Sequence, residues 1–225
     1  MTARITGEDV KHLSRVLRLR AGDTVEICDG AGTEYTGTIR EIGQEEVRLD
    51  LADAHRSPAE AVHRVTLFQG LPKAGKLETI IQKCTELGVD AVVPVEMERC
   101  VVVAKDFSRK LDRYQRVAEE AAKQSRRGMI PVVHDAVPLK KVDFSRFDTV
   151  LVPYEGERET TLKMALRRGT GERIAVVIGP EGGFEPGEVD ALQQQGAIPV
   201  TLGRRILRTE TAGMAVLAEI LYELE

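Results

Sequence analysis

Apolar positions follow two regimes along this chain. In the first fifty residues they are sparse and alternate with charge. Over residues 6–18, Val10, Leu13 and Leu17 recur at helical spacing, while Lys11, Arg15 and Arg18 fall on the opposite side. That predicts an amphipathic helix with Thr6 as its N-cap. Three β-like segments follow at 24–28, 34–42 and 46–51, the first two parted by the turn-rich Asp29-Gly30-Ala31-Gly32. They predict a small barrel-like unit. Residues 53–63, with Pro58 and mixed polarity, read as a linker.

From residue 64 onward the pattern becomes a regular alternation. Apolar runs at 65–71, 91–96, 149–153, 174–178 and 197–202 are short, β-branched and bounded by Gly or Pro, as buried strands are. Helical patterns over 76–87 and 108–126 separate some of them, a helix begins near Glu185, and a last one opens at Thr209. Strands interleaved with helices predict an α/β sheet. The chain thus divides into domains 1–64 and 65–225.

Two of these strands lead into unusual loops. The run at 174–178 is followed by Gly179-Pro180-Glu181-Gly182-Gly183-Phe184, and the run at 197–202 by Gly203-Arg204-Arg205-Ile206-Leu207-Arg208-Thr209-Glu210-Thr211-Ala212. In open α/β sheets, ligands sit beyond the carboxyl ends of strands, so the two loops read as walls of one pocket. Glycines in the first let backbone amides and carbonyls approach a ligand. The second sets Arg204, Arg205 and Arg208 beside Leu202, Ile206 and Leu207, an apolar wall with a cationic rim. Neither G-x-G-x-x-G nor G-x-x-x-x-G-K-[ST] spacing occurs, which argues against dinucleotides and nucleoside triphosphates.

Composition narrows the class. Hydrophobic residues make up 42% of 225, enough for a packed core. Apolar runs of about five residues fall far short of the roughly 20 needed to span a bilayer, and a cytoplasmic protein without membrane contact is expected. Cys28, Cys84 and Cys100 have no C-x-x-C spacing, and His55, His63 and His134 no ligand spacing, so neither disulfides nor a metal are implied. The net charge is −4, but residues 99–127 hold nine Lys and Arg against four Asp and Glu, and residues 1–20 hold five against two. Placement rather than net charge decides contact with nucleic acid, and these two stretches are candidate RNA faces.

The two loops resemble the cofactor loops of SPOUT methyltransferases, and in particular the 16S ribosomal RNA uridine N3-methyltransferases (the RsmE family). The similarity extends over almost the whole chain through His12-Leu13-Ser14-Arg15-Val16-Leu17-Arg18, Leu71-Pro72-Lys73-Ala74-Gly75-Lys76-Leu77-Glu78, Gln82-Lys83-Cys84-Thr85-Glu86-Leu87-Gly88-Val89, Glu98-Arg99-Cys100 and Gln124-Ser125-x-Arg127. It departs at Lys123 and Tyr114, where an acidic residue and Trp are usual. The resemblance implies an α/β SPOUT domain with a deep trefoil knot, preceded by a small PUA-like RNA-binding β-barrel, in a homodimer acting on 16S rRNA of the small ribosomal subunit. It implies S-adenosylmethionine held by Gly179, Pro180, Glu181, Gly182, Leu202, Gly203, Ile206, Leu207, Arg208, Thr211 and Ala212, mostly through backbone.

Methyl transfer to N3 of a uridine needs a base or a cation that stabilises the deprotonated ring. Arg208 is the candidate cation. Glu210, at the start of the last helix, reads first as stabilising that helix, which leaves the base unassigned. His12, Arg15, Arg18, Lys73, Lys76, Lys83, Arg126 and Arg127 are candidate RNA contacts. Two other readings stay open: a related knotted methyltransferase acting on a ribose 2′-hydroxyl or a transfer RNA, and a non-catalytic ribosome-assembly factor that binds RNA.

Overall fold

The computed structural model describes residues 1–73, 75–104 and 107–225. Ala74, in the motif that starts at Leu71, and residues 105 and 106, in the basic stretch 99–127, lie outside the described residues. The chain divides into one unit of residues 1–60 with 127–129 and another of residues 61–126 with 130–225.

In the first unit, β1 (Thr2–Thr6) leads into α1 (Glu8–Lys11), and an antiparallel meander of β2 (Thr24–Cys28), β3 (Thr33–Ile42) and β4 (Glu46–Arg56) completes a sheet in the order β1-β4-β3-β2. Alternation along β3 and β4 turns Ile39, Val47 and Leu49 inward, where they bury against Val10 and Leu13. Three expectations need correction here. Thr6 does not cap a helix: it pairs with Glu46 as the last residue of β1, and Gly7, at φ 74°, takes the cap position without a side-chain bond. The helix also changes form, continuing from His12 to Val16 as a π-helix. The Leu17 amide reaches back five residues to the His12 carbonyl at 3.0 Å, and this π-type turn leaves Val16 and Leu17 66% and 51% exposed. Finally, β4 continues to Arg56 into the supposed linker, because β3 supplies ladder partners as far as Thr33, opposite Arg56.

Residues 127–129 are stapled into this unit. The Arg127 guanidinium donates to Glu60 Oε2 at 2.7 Å with side-chain exposures of 4% and 8%, and the Met129 amide donates to Glu60 Oε1 at 3.0 Å.

The second unit runs β5 (Arg64–Gly70), α2 (Lys76–Glu86), β6 (Ala91–Glu96), α3 (Leu111–Gln124), β7 (Val132–Val133), β8 (Val137–Pro138), β9 (Thr149–Pro153), α4 (Leu162–Leu166), β10 (Arg173–Ile178), α5 (Pro186–Gln194), β11 (Ile198–Val200) and α6 (Thr209–Leu224). Its sheet has the order β11-β9-β10-β5-β6-β7, with β8 beside β6, and every pairing is parallel. Successive strand residues serve opposite faces. Leu67, Leu151 and Val176 pack with Ile80 and Ile81 of α2 and Leu217 and Ile220 of α6; Phe68, Val150, Val152 and Val177 pack with Val189 and Leu192 of α5. Burial on both faces explains why these strands read as continuous apolar runs. Strands β7 and β8 and helix α4, two to five residues each, are too short to show a period. Among the described residues, no helix is long and apolar enough to cross a membrane.

Parallel pairing has one consequence for function. It sets the C-terminal ends of β5, β9, β10 and β11 along one edge, and with them the segments that follow.

Candidate functional site

At the end of β10 the chain turns through residues 179–184 into α5. The Gly183 amide donates to the Pro180 carbonyl at 3.0 Å, and Gly183 sits at φ 70°, a conformation Gly adopts without steric penalty. Phe184 is buried behind the turn. Glu185 and Glu188 form a capping box, with Pro186 at the first helical position, so the loop ends on a firmly started helix. Arg99 braces it from outside, donating to the Glu185 carboxylate at 2.7 Å and to the Gly182 carbonyl at 3.1 Å. A Cβ on Gly179 would come within 3.1 Å of the Phe184 ring, and one on Gly182 within 2.9 Å of the Arg99 Cβ. These two glycines let the loop close on its own neighbours.

The second loop leaves β11, and Arg208, in extended conformation, caps α6. Both loops face one cavity of about 420 Å³. Gly179, Pro180, Glu181 and Gly182 line it from one side; Ile206, Leu207, Arg208 and Ala212 line it from the other. A lobe of about 100 Å³ opens beside it, and there Leu202, Gly203, Arg204 and Arg205 face Tyr154 and Arg158. Pro153, Glu155, Leu207 and Ala212 line both. The cavity therefore has apolar surface at Pro153, Ile178, Leu207 and Ala212, a carboxylate at Glu155 and a guanidinium at Arg208.

Two predicted cofactor residues sit differently from expectation. Thr211 lines neither lobe and is exposed, because one residue along a helix is about 100° around it from Ala212. Ile206 reaches the rim but is 85% exposed, so Leu207 and Ala212, not Ile206, form the covered apolar wall.

A charged clasp closes the outer end. Lys76 Nζ lies 3.0 Å from the Glu181 carboxylate and 3.0 Å from that of Glu210, and the Lys73 amide donates to Glu181 at 3.1 Å. Burial pulls the Glu181 carboxyl upward, but the Lys73 amide and the Lys76 ammonium outweigh it and hold the group below its ordinary value. Glu210 is held low first by its own backbone amide and then by Lys76. The two carboxylates, Glu181 foremost, push Lys76 up. Lys76 is thus engaged with both loops.

Among the other predicted RNA contacts, His12, Arg15, Arg18, Lys73 and Arg126 are exposed. Lys83 is partly exposed and pairs with Glu86 at 2.8 Å. Arg127 is the clear correction: buried against Glu60, it has no guanidinium surface to offer RNA. No group of three or more His, Cys, Asp or Glu among the described residues is placed to hold a metal ion.

The RNA methyltransferase domain family matches residues 59–221, and the RNA methyltransferase PUA domain family matches residues 5–51. The chain belongs to the RNA methyltransferase family. Ribosomal RNA small subunit methyltransferase E of Bacillus subtilis is 35% identical over 100% of this chain and 91% of that protein. The protein of the same name from Synechocystis is 33% identical over 97% of this chain and 72% of that one. The crystal structure of ribosomal RNA small subunit methyltransferase E from Neisseria gonorrhoeae bound to S-adenosylmethionine superposes with a TM-score of 0.79 at 28% identity, covering 99% of this chain and 92% of that chain.

Sequence reasoning passed over several residues that shape this RNA methyltransferase's cavity. Gly70 ends β5 so close to the first loop that a Cβ would stand 2.6 Å from the Pro180 nitrogen. Gln69 beside it is fully buried, and Glu155 lines both lobes. A glycine closing a strand run and a glutamine inside one were the available signals, marking close backbone approach and a buried hydrogen bond. Glu155 carried none, since its place depends on β9 lying between β10 and β11.

Proposed function

We propose that this chain transfers the methyl group of S-adenosylmethionine to N3 of a uridine in the 16S rRNA of the small ribosomal subunit. The observation that carries the proposal is the convergence of both loops on one cavity at the carboxyl edge of a parallel sheet. Its volume lies within the roughly 300–1,000 Å³ usual for small-molecule sites. Its lining suits the cofactor: apolar surface for a nucleoside base, backbone amides and carbonyls for its edges, and the Glu155 carboxylate for an amino group. Backbone of Gly179, Pro180, Glu181 and Gly182, with Leu202, Gly203, Leu207 and Ala212, would hold it. When bound, S-adenosylmethionine supplies an electrophilic methyl on its sulfonium.

The protein's part is positioning and charge. Arg208 stabilises negative charge on the uridine ring as N3 loses its proton, and holding the two reactants in line removes much of the entropic barrier. Exposed His12, Arg15, Arg18, Lys73 and Arg126, with partly exposed Lys83, steer the RNA backbone. The register shifts of β3 against β4 support curling of the first sheet into a PUA-like barrel. The resemblance to the SPOUT methyltransferases supports a deep trefoil knot in the second unit. The enzyme works in the cytoplasm as a homodimer.

The test is transfer of labelled methyl from S-adenosylmethionine to small subunits lacking their native methylations, followed by nucleoside analysis. Label in N3-methyluridine is expected. Label in a ribose or only in transfer RNA points to a different target, and no binding of S-adenosylmethionine points to an assembly factor.

A further inference from the structure

One hydroxyl in the cavity wall serves both loops. Thr209, the first residue of α6, is 6% exposed. Its Oγ1 donates to the Gly179 carbonyl at 2.6 Å and accepts from Gln69 Nε2 at 2.8 Å. Gln69, with no exposure at all, also donates to the Gly70 carbonyl at 3.1 Å. A hydroxyl has a single proton to give. With the Gln69 amide donating into the oxygen, that proton is committed to Gly179.

The geometry is informative because of what each partner carries. Gly179 opens the first loop, Thr209 directly follows Arg208 in the second, and Gln69 belongs to the central strand β5. Thr209 is hydrogen-bonded to both of the others. Gln69 Oε1 is buried and has no hydrogen-bond partner among the described residues, an unfavourable arrangement that the amide's two donations to Thr209 and Gly70 account for. Unlike the Lys76 clasp, which salt screens, this relay is buried.

We propose that Thr209 is a positioning residue that holds the two loops in register for the cofactor, and that Gln69 positions it by directing its proton. The proposal rests on reading the cavity as the S-adenosylmethionine site. Thr209 acts through Gly179, whose carbonyl it holds, and through Arg208, its neighbour along the chain.

The test compares Thr209→Val, Thr209→Ser and Gln69→Met with wild type in three measurements: amide hydrogen exchange over 179–185 and 209–212 in the ligand-free protein, calorimetric affinity for S-adenosylmethionine, and thermal midpoint. Loss of one buried hydrogen bond predicts exchange about tenfold faster in both segments of Thr209→Val and affinity about tenfold weaker. Thr209→Ser restores both to within about threefold, because it keeps the donor. Gln69→Met moves both in the same direction as Thr209→Val, and it carries the test should Thr209→Val not fold. A Thr209→Val protein with wild-type exchange and affinity overturns the proposal, as does a Thr209→Ser protein impaired as fully as the valine variant. Wild type that fails to bind S-adenosylmethionine overturns the cofactor reading itself, an outcome seen without any variant.

Discussion

Gly70→Ala probes how the site's shape depends on the close approach of β5 to the first loop. The added Cβ would stand 2.6 Å from the Pro180 nitrogen, 2.8 Å from its Cδ and 2.9 Å from the Gly179 carbonyl carbon, where ordinary contact begins at 3.4 Å. Pro180 must therefore retreat by about 0.8 Å, the difference of 3.4 and 2.6 Å. The obstacle is backbone, which has no rotamer to change. That backbone is tied by Thr209 to Gly179, by the Gly183 amide to Pro180 and by Arg99 to Gly182. Gly70 has no positive φ, so the penalty comes from contact alone. Overpacking of this kind costs about 1–3 kcal/mol, which lowers the thermal midpoint by roughly 2–12 °C at about 2–4 °C per kcal/mol. A displacement near 1 Å in a site's positioning groups costs up to about a hundredfold, and we expect S-adenosylmethionine to bind about ten- to a hundredfold more weakly. Calorimetric titration and thermal unfolding of the variant measure both effects. Gly187→Ala is the control: it lies in α5, where a Cβ meets nothing within 4 Å, and should stabilise by up to about 1 kcal/mol with affinity unchanged. A Gly70→Ala protein that binds the cofactor as tightly as wild type would refute the reasoning.

Other parts of the molecule yield equally direct expectations. Arg208→Ala should leave S-adenosylmethionine affinity nearly unchanged while turnover falls at least about tenfold, roughly 1.4 kcal/mol of transition-state stabilisation; undiminished turnover removes Arg208 from the mechanism. Arg127→Ala strands the buried Glu60 carboxylate and should destabilise the first unit by about 3–5 kcal/mol, read as an early transition in denaturant; a change below about 1 kcal/mol would show the pair to be solvated like a surface bridge. The clasp should follow its pKa shifts. With Glu181 and Glu210 lowered and Lys76 raised, its contribution is complete between about pH 4.3 and 10.4, lost on acidification through the carboxylates and on alkalisation through the lysine. Wild type and Lys76→Met should thus differ in thermal midpoint at neutral pH, and the difference should shrink as acidification protonates the two lowered carboxylates; a difference that does not shrink on acidification contradicts the clasp. Burial pushes the Cys84 thiol up to about 12, so iodoacetamide at neutral pH should label exposed Cys28 and spare Cys84 until the chain unfolds. Mass spectrometry of the native protein would settle it.

The sequence by itself determined whatever depends on neighbours along the chain. Burial on both faces makes β5, β6, β9 and β10 apolar runs whose limits can be read to within a residue or so, and helices α2 and α3 show their period. The two loops were legible because glycine, proline and arginine are concentrated in them and each follows such a strand. Elements whose reason lies elsewhere were not legible. Strand β1 is five alternating residues that exist because Val47 and Leu49 lie opposite Ile5 and Ala3. The outer half of β4 is held by ladder bonds to β3, with no apolar pattern of its own.

Only the tertiary structure decided which polar groups are free and which are taken. In sequence, Lys76 and Arg127 are basic residues like Arg15 or Arg126. In space, the first is clamped between Glu181 and Glu210, 105 and 134 residues away, and the second is sealed against Glu60. Thr209 in sequence is a helix-opening threonine; in space it links Gln69 to Gly179. Charge and hydrogen bonding act over a few ångströms whatever the separation along the chain, so chemistry at a site made from four strand ends is set by the packing that brings those ends together.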